Sequence, residues 1–548
     1  MPIRTVQTTP YPDQKFGTAG LRKKVAVFQQ PHYLENLLQA IFDCVPELKG
    51  AALVIGGDGR YHNRTAIQTA IAMAAANGVT RVFVGQGGIA STPATSHLIR
   101  AKAAAGGLMF SASHNPAGPD GDFGVKFNIA SGGQAAASVT NEIFARTKVL
   151  GEYRIADSAK VDLDRRGVTQ VEATQVEVID GVADYAALMQ SLFNFEQMRG
   201  WLKTHSVCFD AMHAVTGPYA RRILVELLGA PESSVINAVP LEDFGGGHPD
   251  PNLIHAKHLV ELSKASNAPD LLAASDGDGD RNMILGAGRA AGIGTFISPG
   301  DSLAMLAAHL HRLPGYAKGV VGIARSMPTA RAADVVAKQL GIPCFETPTG
   351  WKFFCNLLDA GKITICGEES FGTSSTHVRE KDGLWAVLAW LNVLAATGKG
   401  VAQLAGEHWQ QFGRHYYLRH DYEDLPSAAA NAVMDGLKAQ LAELPGQTLG
   451  GFAVTLADEF AYTDPIDGSL ATAQGLRLVF GDAARIVVRL SGTGTQGATV
   501  RVYFERYEQV ASKLDLPVTE ALQGLVDLAV KLLRLPELTG RKGPDVVT

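Results

Sequence analysis

Three aspartates at alternating positions are the clearest chemical feature of this sequence. Asp276, Asp278 and Asp280 stand in the segment SDGDGDR, where glycines separate them. Carboxylates spaced in this way can wrap oxygen ligands around a hard divalent cation, and Mg²⁺ in such a site leaves room for a phosphate. An EF-hand loop from Asp276 is excluded because Arg281 and Ala287 replace the required glycine and glutamate. A phosphatase with an aspartate nucleophile would have Thr or Val at 280, and a solvated acidic turn remains the alternative.

A serine follows an apolar stretch in the segment SASHNPAGPDGDFGVKFN (111–128). Ser113 stands beside His114 and before a turn rich in proline and glycine, and Lys126 lies between apolar neighbours. An exposed serine beside an ionisable group is a candidate nucleophile, and the Lys126 ammonium is a candidate for the same cleft. The composition of the turn is equally compatible with Ser113 capping a helix or a turn.

A third segment, RLSGTGTQGATVR (489–501), has the composition of a phosphate-binding turn. A dinucleotide-binding loop is excluded because a strand follows the glycines, and a P-loop is excluded because no lysine does. A kinase glycine-rich loop would need a catalytic lobe after Val500, for which too few residues follow. The hydroxyls of Ser491 and Thr493, the backbone N–H groups and the arginines Arg489 and Arg501 suit a phosphate. A structural glycine turn is the alternative.

Two weaker segments add polar groups. GEESFG (367–372) contains Glu368 and Ser370, which suit sugar hydroxyls, and Lys381 follows in HVREKDG. The amino-terminal FGTAGLRKK contains Thr18 and Arg22 in a glycine turn. Each segment by itself is compatible with a solvated loop. Together with the serine, the aspartates and the phosphate turn, they indicate phosphoryl transfer to or from a hydroxylated metabolite.

The elements that must position these groups repeat three times along the chain. In each unit, short apolar runs such as AALVI (51–55), SVCF (206–209) and GVVGIA (319–324) alternate with amphipathic helical patterns. This pattern is typical of parallel strands buried on both faces, whose carboxyl ends place ligand-binding loops in one cleft. After about residue 400 longer alternating strands predict an α+β domain. We therefore expect three similar α/β domains with mixed, mainly parallel sheets plus a C-terminal α+β domain around a central cleft. The predicted domains are 1–187, 188–310, 311–402 and 403–548.

Composition excludes several classes of protein. The 548 residues carry a formal charge of −5 and are 46% hydrophobic, so we expect no nucleic-acid partner and no membrane partner. The five cysteines are widely spaced and form no zinc motif, and no apolar segment follows a basic start at the amino terminus. We expect a cytoplasmic protein.

These segments, with TPTGWKFF and REKDGLWAVLAWL, resemble those of the α-D-phosphohexomutases in order from about residue 15 to about residue 505. GEESFG and TPTGWKFF point to the phosphoglucomutase branch, since Phe371 precedes Gly372 where relatives acting on other sugars have a different selector. The resemblance implies four domains around a cleft, interconversion of glucose 1-phosphate and glucose 6-phosphate, Mg²⁺, and glucose 1,6-bisphosphate as priming activator. The open alternatives are mannose or glucosamine phosphate specificity, a phosphatase, and a catalytically silent scaffold.

The resemblance also implies roles for individual residues. Ser113 would be the phosphoserine, and it would share the metal with the three aspartates. Proton transfer and charge stabilisation would fall to His114, Lys126, Lys381 and Arg22. The residues implied in substrate binding are Thr18, Arg281, Thr349, Gly350, Glu368, Ser370, Arg489, Ser491, Gly492, Thr493 and Arg501. Ser111, Ala117 and Ala214 stand where the family usually has Thr, Gly and Gly. A small sugar phosphate is the expected partner, and the chain is expected to be a monomer or dimer.

Overall fold

The computed structural model describes residues 3–17, 19–288, 294–491 and 497–548. Each of the predicted domain ranges contains one main sheet. Two of the predicted boundaries, at 187 and 402, lie inside helices, 181–192 and 401–412. The exact limits of the domains stay a prediction.

Domain I is built on a mixed sheet in the order β2-β6-β5-β3-β4-β9-β8. Its centre is parallel, because β3 pairs with β4 and with β5 in that sense. The strands are β1 (Ile3–Gln7), β2 (Leu21–Lys24), β3 (Ala52–Gly57), β4 (Arg81–Gly85), β5 (Gly106–Phe110), β6 (Asp122–Ile129), β7 (Glu152–Ala156), β8 (Gly167–Val171) and β9 (Thr174–Ile179). The helices are α1 (Val25–Phe28), α2 (Tyr33–Cys44), α3 (Asn63–Ala76), α4 (Thr92–Ala101) and α5 (Ala137–Thr147).

Domain II has the sheet order β11-β10-β12-β13-β14, parallel across β11, β10 and β12 and antiparallel beyond them. Its strands are β10 (Val207–Asp210), β11 (Val235–Ile236), β12 (Leu271–Ser275), β13 (Asn282–Ala287) and β14 (Gly294–Ile297). Its helices are α6 (Gly181–Leu192), α7 (Phe195–Leu202), α8 (Thr216–Ala220), continued by a π-helix over Arg221–Leu227, and α9 (Lys257–Leu262).

Domain III repeats the arrangement with the order β16-β15-β17-β18, in which only the pair β17–β18 of this described sheet is antiparallel. Its strands are β15 (Ile323–Ser326), β16 (Cys344–Thr347), β17 (Ile365–Glu368) and β18 (Gly372–Ser375). Its helices are α10 (Pro299–His309), α11 (Ala332–Leu340), α12 (Trp351–Asp359), α13 (Gly383–Thr397) and α14 (Val401–Phe412). Helix α10 lies within the range predicted for domain II, but it packs against α11 and β17 of domain III.

Domain IV differs, as its sequence predicts, because its main sheet is antiparallel. The order is β22-β25-β26-β27-β19-β28, with β26 and β27 forming a long hairpin. The strands are β19 (Arg414–Leu425), β20 (Thr448–Leu449), β21 (Phe452–Ala453), β22 (Leu456–Glu459), β23 (Tyr462–Thr463), β24 (Leu470–Ala471), β25 (Leu476–Phe480), β26 (Ala484–Ser491), β27 (Ala498–Glu508) and β28 (Val546–Val547). The helices are α15 (Ser427–Lys438), α16 (Val518–Leu532) and α17 (Leu535–Thr539).

Local chemistry sets where key helices begin. Helix α4 begins after Ser91, whose hydroxyl accepts the N–H of Ala94, and a proline occupies its first turn. Helix α13 begins after Asp382, whose carboxylate accepts the N–H of Trp385. Both caps lie beside the cleft, so the same residues that begin these helices also fix the loops that precede them.

Helix α13 is apolar on all faces because it is buried on all faces. Its residues from Gly383 to Leu394 are buried, and they join a core shared by domains II and III. Among the described helices, no single one is long and apolar enough to span a membrane. Helices α13 and α14 pass that test only as a pair bent by 82°.

Candidate active site

Ser113 lies where the chain leaves the carboxyl end of β5. Its side chain is buried, and its hydroxyl donates a hydrogen bond to Oδ2 of Asp276 over 2.9 Å. Its backbone has φ of 53°, in the left-handed region that a non-glycine residue rarely adopts. The His114 Nδ1 atom is 3.4 Å from the Ser113 hydroxyl. Domains I and II therefore bring together the two segments that the sequence singled out.

The three aspartates follow β12 and form one buried cluster. One carboxylate oxygen from each of Asp276, Asp278 and Asp280 lies within 4.8 Å of the others. The Asp276 Oδ1 atom accepts two backbone N–H groups, which fixes the loop. Within the described residues, Oδ1 of Asp278 and Oδ1 of Asp280 are buried without a hydrogen-bond partner. Buried, converging and unpaired carboxylate oxygens fit a divalent cation, so the donor set matches the metal that the resemblance implies.

The glycines between the aspartates have a steric reason. A Cβ on Gly277 would lie 2.3 Å from the carbonyl oxygen of Ser113. Gly279 has φ of 80°, and a Cβ there would meet Thr216 at 2.9 Å. Only glycine lets this loop approach the serine turn so closely.

Positive side chains surround the aspartates. The Lys126 ammonium lies 2.5 Å from Asp278 Oδ2, and both Lys126 and Lys381 reach Asp280 Oδ2, at 3.5 and 3.4 Å. Burial by itself lowers the pKa of Lys126, but the two carboxylates outweigh it and raise that pKa above its ordinary value. The Arg281 guanidinium lies 3.9 Å from Asp276. The carboxylates of the aspartate cluster are thus paired with three positive side chains.

His114 and Arg22 complete this group of predicted residues. Burial lowers the pKa of His114 well below its ordinary value, and the charges of Arg281 and Arg22 lower it further. Arg22 lies on β2, where burial lowers the pKa of its guanidinium and the carboxylate of Asp278 opposes that effect. Thr18, from the same amino-terminal segment, lies outside the described residues.

The predicted sugar-binding residues meet at the end of β17. The Glu368 carboxylate is buried and accepts the N–H of Gly350 over 2.9 Å, and Thr349 precedes that glycine. Burial raises the pKa of Glu368. Ser370 lies in the turn between β17 and β18, and the next residue, Phe371, has φ of 68°. This turn is therefore held to α12 of its own domain.

The same turn is joined to the aspartate loop of domain II. The carbonyl oxygen of Phe371 accepts both the backbone N–H and the side-chain amide of Asn282, at 2.9 and 3.1 Å. Arg281 and Gly372 form an isolated β-bridge. These contacts join the turn between β17 and β18 (residues 369–371, the selector turn) to the aspartate loop of domain II.

The segment 377–383 crosses from domain III to domains I and II, which sequence reasoning missed. Its Glu380 carboxylate accepts the side-chain amides of Asn128 and Gln134, at 2.9 and 3.2 Å. Asp382 accepts the hydroxyl of Tyr185 over 2.7 Å, and Lys381 lies between these two anchors. The partners are hundreds of residues away in sequence, so no local pattern predicts them.

The two predicted phosphate-binding arginines face each other across the hairpin of domain IV. Arg489 pairs with Arg501 in the β26–β27 register, and Ser491 pairs with Thr499. Burial by itself lowers the pKa of Arg489, but Tyr503 and the carboxylates of Glu369 and Glu368 outweigh it and raise that pKa above its ordinary value. Gly492 and Thr493 lie outside the described residues.

A further arginine joins this pair. Arg419 on β19 lies 3.0 Å from Asp421 Oδ1, and Arg501 lies 3.5 Å from Asp421 Oδ2. Asp421 therefore aligns two guanidinium groups. The sequence of the hairpin does not predict a role for Arg419, because β19 lies far from β27 in sequence and pairs with it only in the folded sheet.

A cavity of about 320 Å³ connects three of the domains. Lys126 of domain I, Thr349 and Lys352 of domain III, and Gln474 of domain IV line it. This volume is in the range of small-molecule sites.

Family models match the chain along almost its whole length. Three are the phosphoglucomutase/phosphomannomutase alpha/beta/alpha domains I, II and III, and the fourth is the phosphoglucomutase-1 C-terminal domain. They match residues 13–154, 183–288, 299–412 and 414–545 respectively. These matches agree with the expected three α/β domains and a different fourth domain.

Curated relatives align end to end. Phosphoglucomutase of Rhizobium radiobacter is 55% identical over 547 residues, covering 100% of both chains. Cytoplasmic phosphoglucomutase of Bromus inermis is 50% identical, covering 99% of this chain and 98% of its own. Chloroplastic phosphoglucomutase of Arabidopsis thaliana is 49% identical, covering 100% and 89%. Relatives thus occur in more than one compartment.

A solved structure has the same architecture. The open form of the exocytosis-sensitive phosphoprotein pp63/parafusin, a phosphoglucomutase from Paramecium, superposes with a TM-score of 0.91 at 46% identity. The superposition covers 100% of this chain and 99% of that one. In sequence and in structure, the chain belongs to the phosphoglucomutase/phosphomannomutase family, the α-D-phosphohexomutases.

Proposed function

We propose that this chain is a phosphoglucomutase that interconverts α-D-glucose 1-phosphate and glucose 6-phosphate through a phosphoserine and a glucose 1,6-bisphosphate intermediate. The observation that carries the proposal is the contact of 2.9 Å between the hydroxyl of Ser113 and Asp276, inside a buried carboxylate cluster in which Oδ1 of Asp278 and Oδ1 of Asp280 have no hydrogen-bond partner among the described residues. Full-length relatives of about 50% identity that are named phosphoglucomutases support the same reaction.

The metal is proposed to be Mg²⁺, held by Asp276, Asp278 and Asp280 together with an oxygen on Ser113. When bound, it neutralises charge on the oxygens of the transferring phosphoryl group. Glucose 1,6-bisphosphate is proposed as the priming activator. A cytoplasmic location, as in the Bromus inermis relative, and a monomeric or dimeric state complete the proposal.

The protein positions the two oxygens between which phosphorus moves. The bond from phosphorus to Ser113 Oγ breaks while a bond to a sugar hydroxyl oxygen forms, and the hydroxyl proton passes to the enzyme. His114 and Lys381 are the proposed proton carriers. Lys126, held between Asp278 and Asp280, is proposed to stabilise charge instead. The second transfer returns the other phosphate of the bisphosphate to Ser113 and leaves the isomeric product.

The intermediate must bind in two opposite orientations, because the phosphates at its two ends react in turn. We assign the phosphate that is not reacting to Arg489, Ser491 and Arg501 with the glycine turn that includes Gly492 and Thr493. We assign the sugar hydroxyls to Glu368 and Ser370. Both groups belong to domains other than that of Ser113, so reorientation leaves the nucleophile in place.

A coupled assay tests the proposed function. Glucose 1-phosphate with Mg²⁺ and a trace of glucose 1,6-bisphosphate is expected to yield glucose 6-phosphate without sustained release of inorganic phosphate. Turnover of mannose or glucosamine 1-phosphate, without turnover of glucose 1-phosphate, would show that the sugar specificity inferred from the selector turn is wrong. Continuous phosphate release would identify a phosphatase, and no turnover of any of the three sugars would favour a silent scaffold.

The variant Arg501→Ala is expected to raise the KM for glucose 1-phosphate by about 10- to 100-fold, since a charge-assisted hydrogen bond contributes roughly 1.5–3 kcal/mol. Affinity for Mg²⁺, measured by calorimetry, is expected to stay within about twofold because the aspartates belong to another domain. Arg506→Ala is the matched control: it lies on the same strand but donates to Ala521. A lost Mg²⁺ site with unchanged KM would contradict the assignment.

A further inference from the structure

The segment GGDGR (56–60) at the carboxyl end of β3 contains a fully buried ion pair. The side chains of Asp58 and Arg60 are each 0% exposed, and the Arg60 Nε atom donates to both carboxylate oxygens of Asp58, at 2.8 and 3.1 Å. Burying two charges completely is costly unless their hydrogen bonds are satisfied. The other nitrogens of Arg60 therefore need partners.

Those partners are carbonyl oxygens of the serine segment. Arg60 Nη2 donates to the carbonyl oxygen of Ser113 over 2.6 Å, and Nη1 donates to that of Asp122 over 2.8 Å. A longer contact of 3.5 Å joins Nη1 to the carbonyl of Asn115. One planar guanidinium thus bonds carbonyl oxygens at the start and at the end of the turn that carries the nucleophile.

The carbonyl of Ser113 is the critical contact, because it is confined from two sides. Arg60 holds it from domain I, and Gly277 of the aspartate loop approaches it so closely that a Cβ would lie 2.3 Å away. Ser113 keeps its φ of 53° within this frame. A peptide group fixed in this way also fixes the Cα–Cβ direction of Ser113, and with it the hydroxyl beside Asp276.

We propose that Arg60 is a positioning residue for the phosphoryl-transfer reaction: its buried guanidinium, neutralised by Asp58, keeps the Ser113 peptide in its strained conformation so that the hydroxyl meets Asp276. This inference rests on the proposed function. Arg60 is fully buried and its hydrogen bonds go to Asp58 and to carbonyl oxygens of the turn, so it acts through the backbone of the turn.

Lysine cannot replace this residue. The planar guanidinium reaches both carbonyl oxygens and the Asp58 carboxylate at once, whereas a single ammonium group cannot. Removing Arg60 alone would leave the buried Asp58 charge uncompensated. The test therefore uses the neutral pair Asp58→Asn/Arg60→Met together with Arg60→Lys.

Both variants are expected to lower kcat by about 100-fold with KM for glucose 1-phosphate within about threefold, since a misplacement near 1 Å costs about that factor. The control is Arg325→Met/Asp334→Asn, which removes from domain III an ion pair of 2.6 Å between a buried arginine and a partly exposed aspartate. The control is expected to keep kcat within about threefold. An equal fall of kcat in the control would overturn the proposal. A higher KM with unchanged kcat in the Arg60 variants would overturn it as well.

Hydrogen exchange supplies a second readout that needs no substrate. The N–H groups of Ser113 and Asn115 are bonded within the turn, to the Ser111 hydroxyl and the Ala112 carbonyl. In the Asp58→Asn/Arg60→Met variant, exchange in the peptide 111–122 is expected to rise about tenfold or more while other peptides of domain I stay unchanged. Unchanged exchange there would contradict the positioning role even if the wild type proved to catalyse another reaction.

Discussion

Ser113→Ala is expected to lower mutase turnover by at least about 10⁴-fold, because Ser113 is the proposed carrier of the phosphoryl group between the two ends of the sugar. The change removes one buried oxygen and its hydrogen bond to Asp276 and leaves every carbon atom in place, so the melting temperature is expected to move by less than about 3 °C. The coupled assay and thermal melting measure the two effects.

The matched control is Ser138→Ala, an exposed serine on α5 of the same domain, which is expected to keep full activity. Incubation with glucose 1,6-bisphosphate labelled in phosphorus gives an independent readout. Wild type is expected to retain label at Ser113, whereas Ser113→Ala is expected to retain none. Substantial residual turnover, or label at another residue, would remove Ser113 from its proposed role.

The predicted nucleophile and the predicted metal ligands share one property: they lie just after the ends of apolar strands. Ser113 follows β5, and Asp276 follows β12, so the periodicity that identifies the strands also locates the loops. Their contact joins residues 163 positions apart. The general rule that loops at strand ends converge therefore predicted the juxtaposition, although no spacing in the sequence specifies its distance.

What the sequence could not supply was the set of polar partners that hold these loops. Arg60, Glu380 and Arg419 read as ordinary surface charges, yet the first two are fully buried and the third pairs with Asp421. A charged residue looks the same in a sequence whether it is solvated or buried, since its burial depends on distant segments. Strand length is likewise not set by the local pattern: the segment SVINAV (234–239) has the composition of a strand, but only Val235–Ile236 form one, because φ of Asn237 is 51°.

Removing one charge from the aspartate cluster is the second change with a large expected effect. In Asp278→Asn, the affinity for Mg²⁺ is expected to fall by at least about 100-fold and kcat by about 10³-fold, because metal ligands matter more than their supporting groups. Oδ2 of Asp278 is occupied by Lys126, Thr92 and Ser111, whereas Oδ1 is free among the described residues. The shape of the side chain is kept, so the loss reports charge and ligand chemistry.

Thermal melting separates metal binding from catalysis. Saturating Mg²⁺ at about 100 times its Kd is expected to stabilise the wild type by about 2.7 kcal/mol, since the cation binds the folded state alone. The same Mg²⁺ concentration is expected to leave the melting temperature of Asp278→Asn nearly unchanged. Asp120→Asn, at an exposed carboxylate of the serine segment, is the matched control and is expected to behave as wild type. An Asp278→Asn variant that bound Mg²⁺ with wild-type affinity would show that the cation is held elsewhere, and the unpaired Oδ1 atoms of the cluster would then need another ligand.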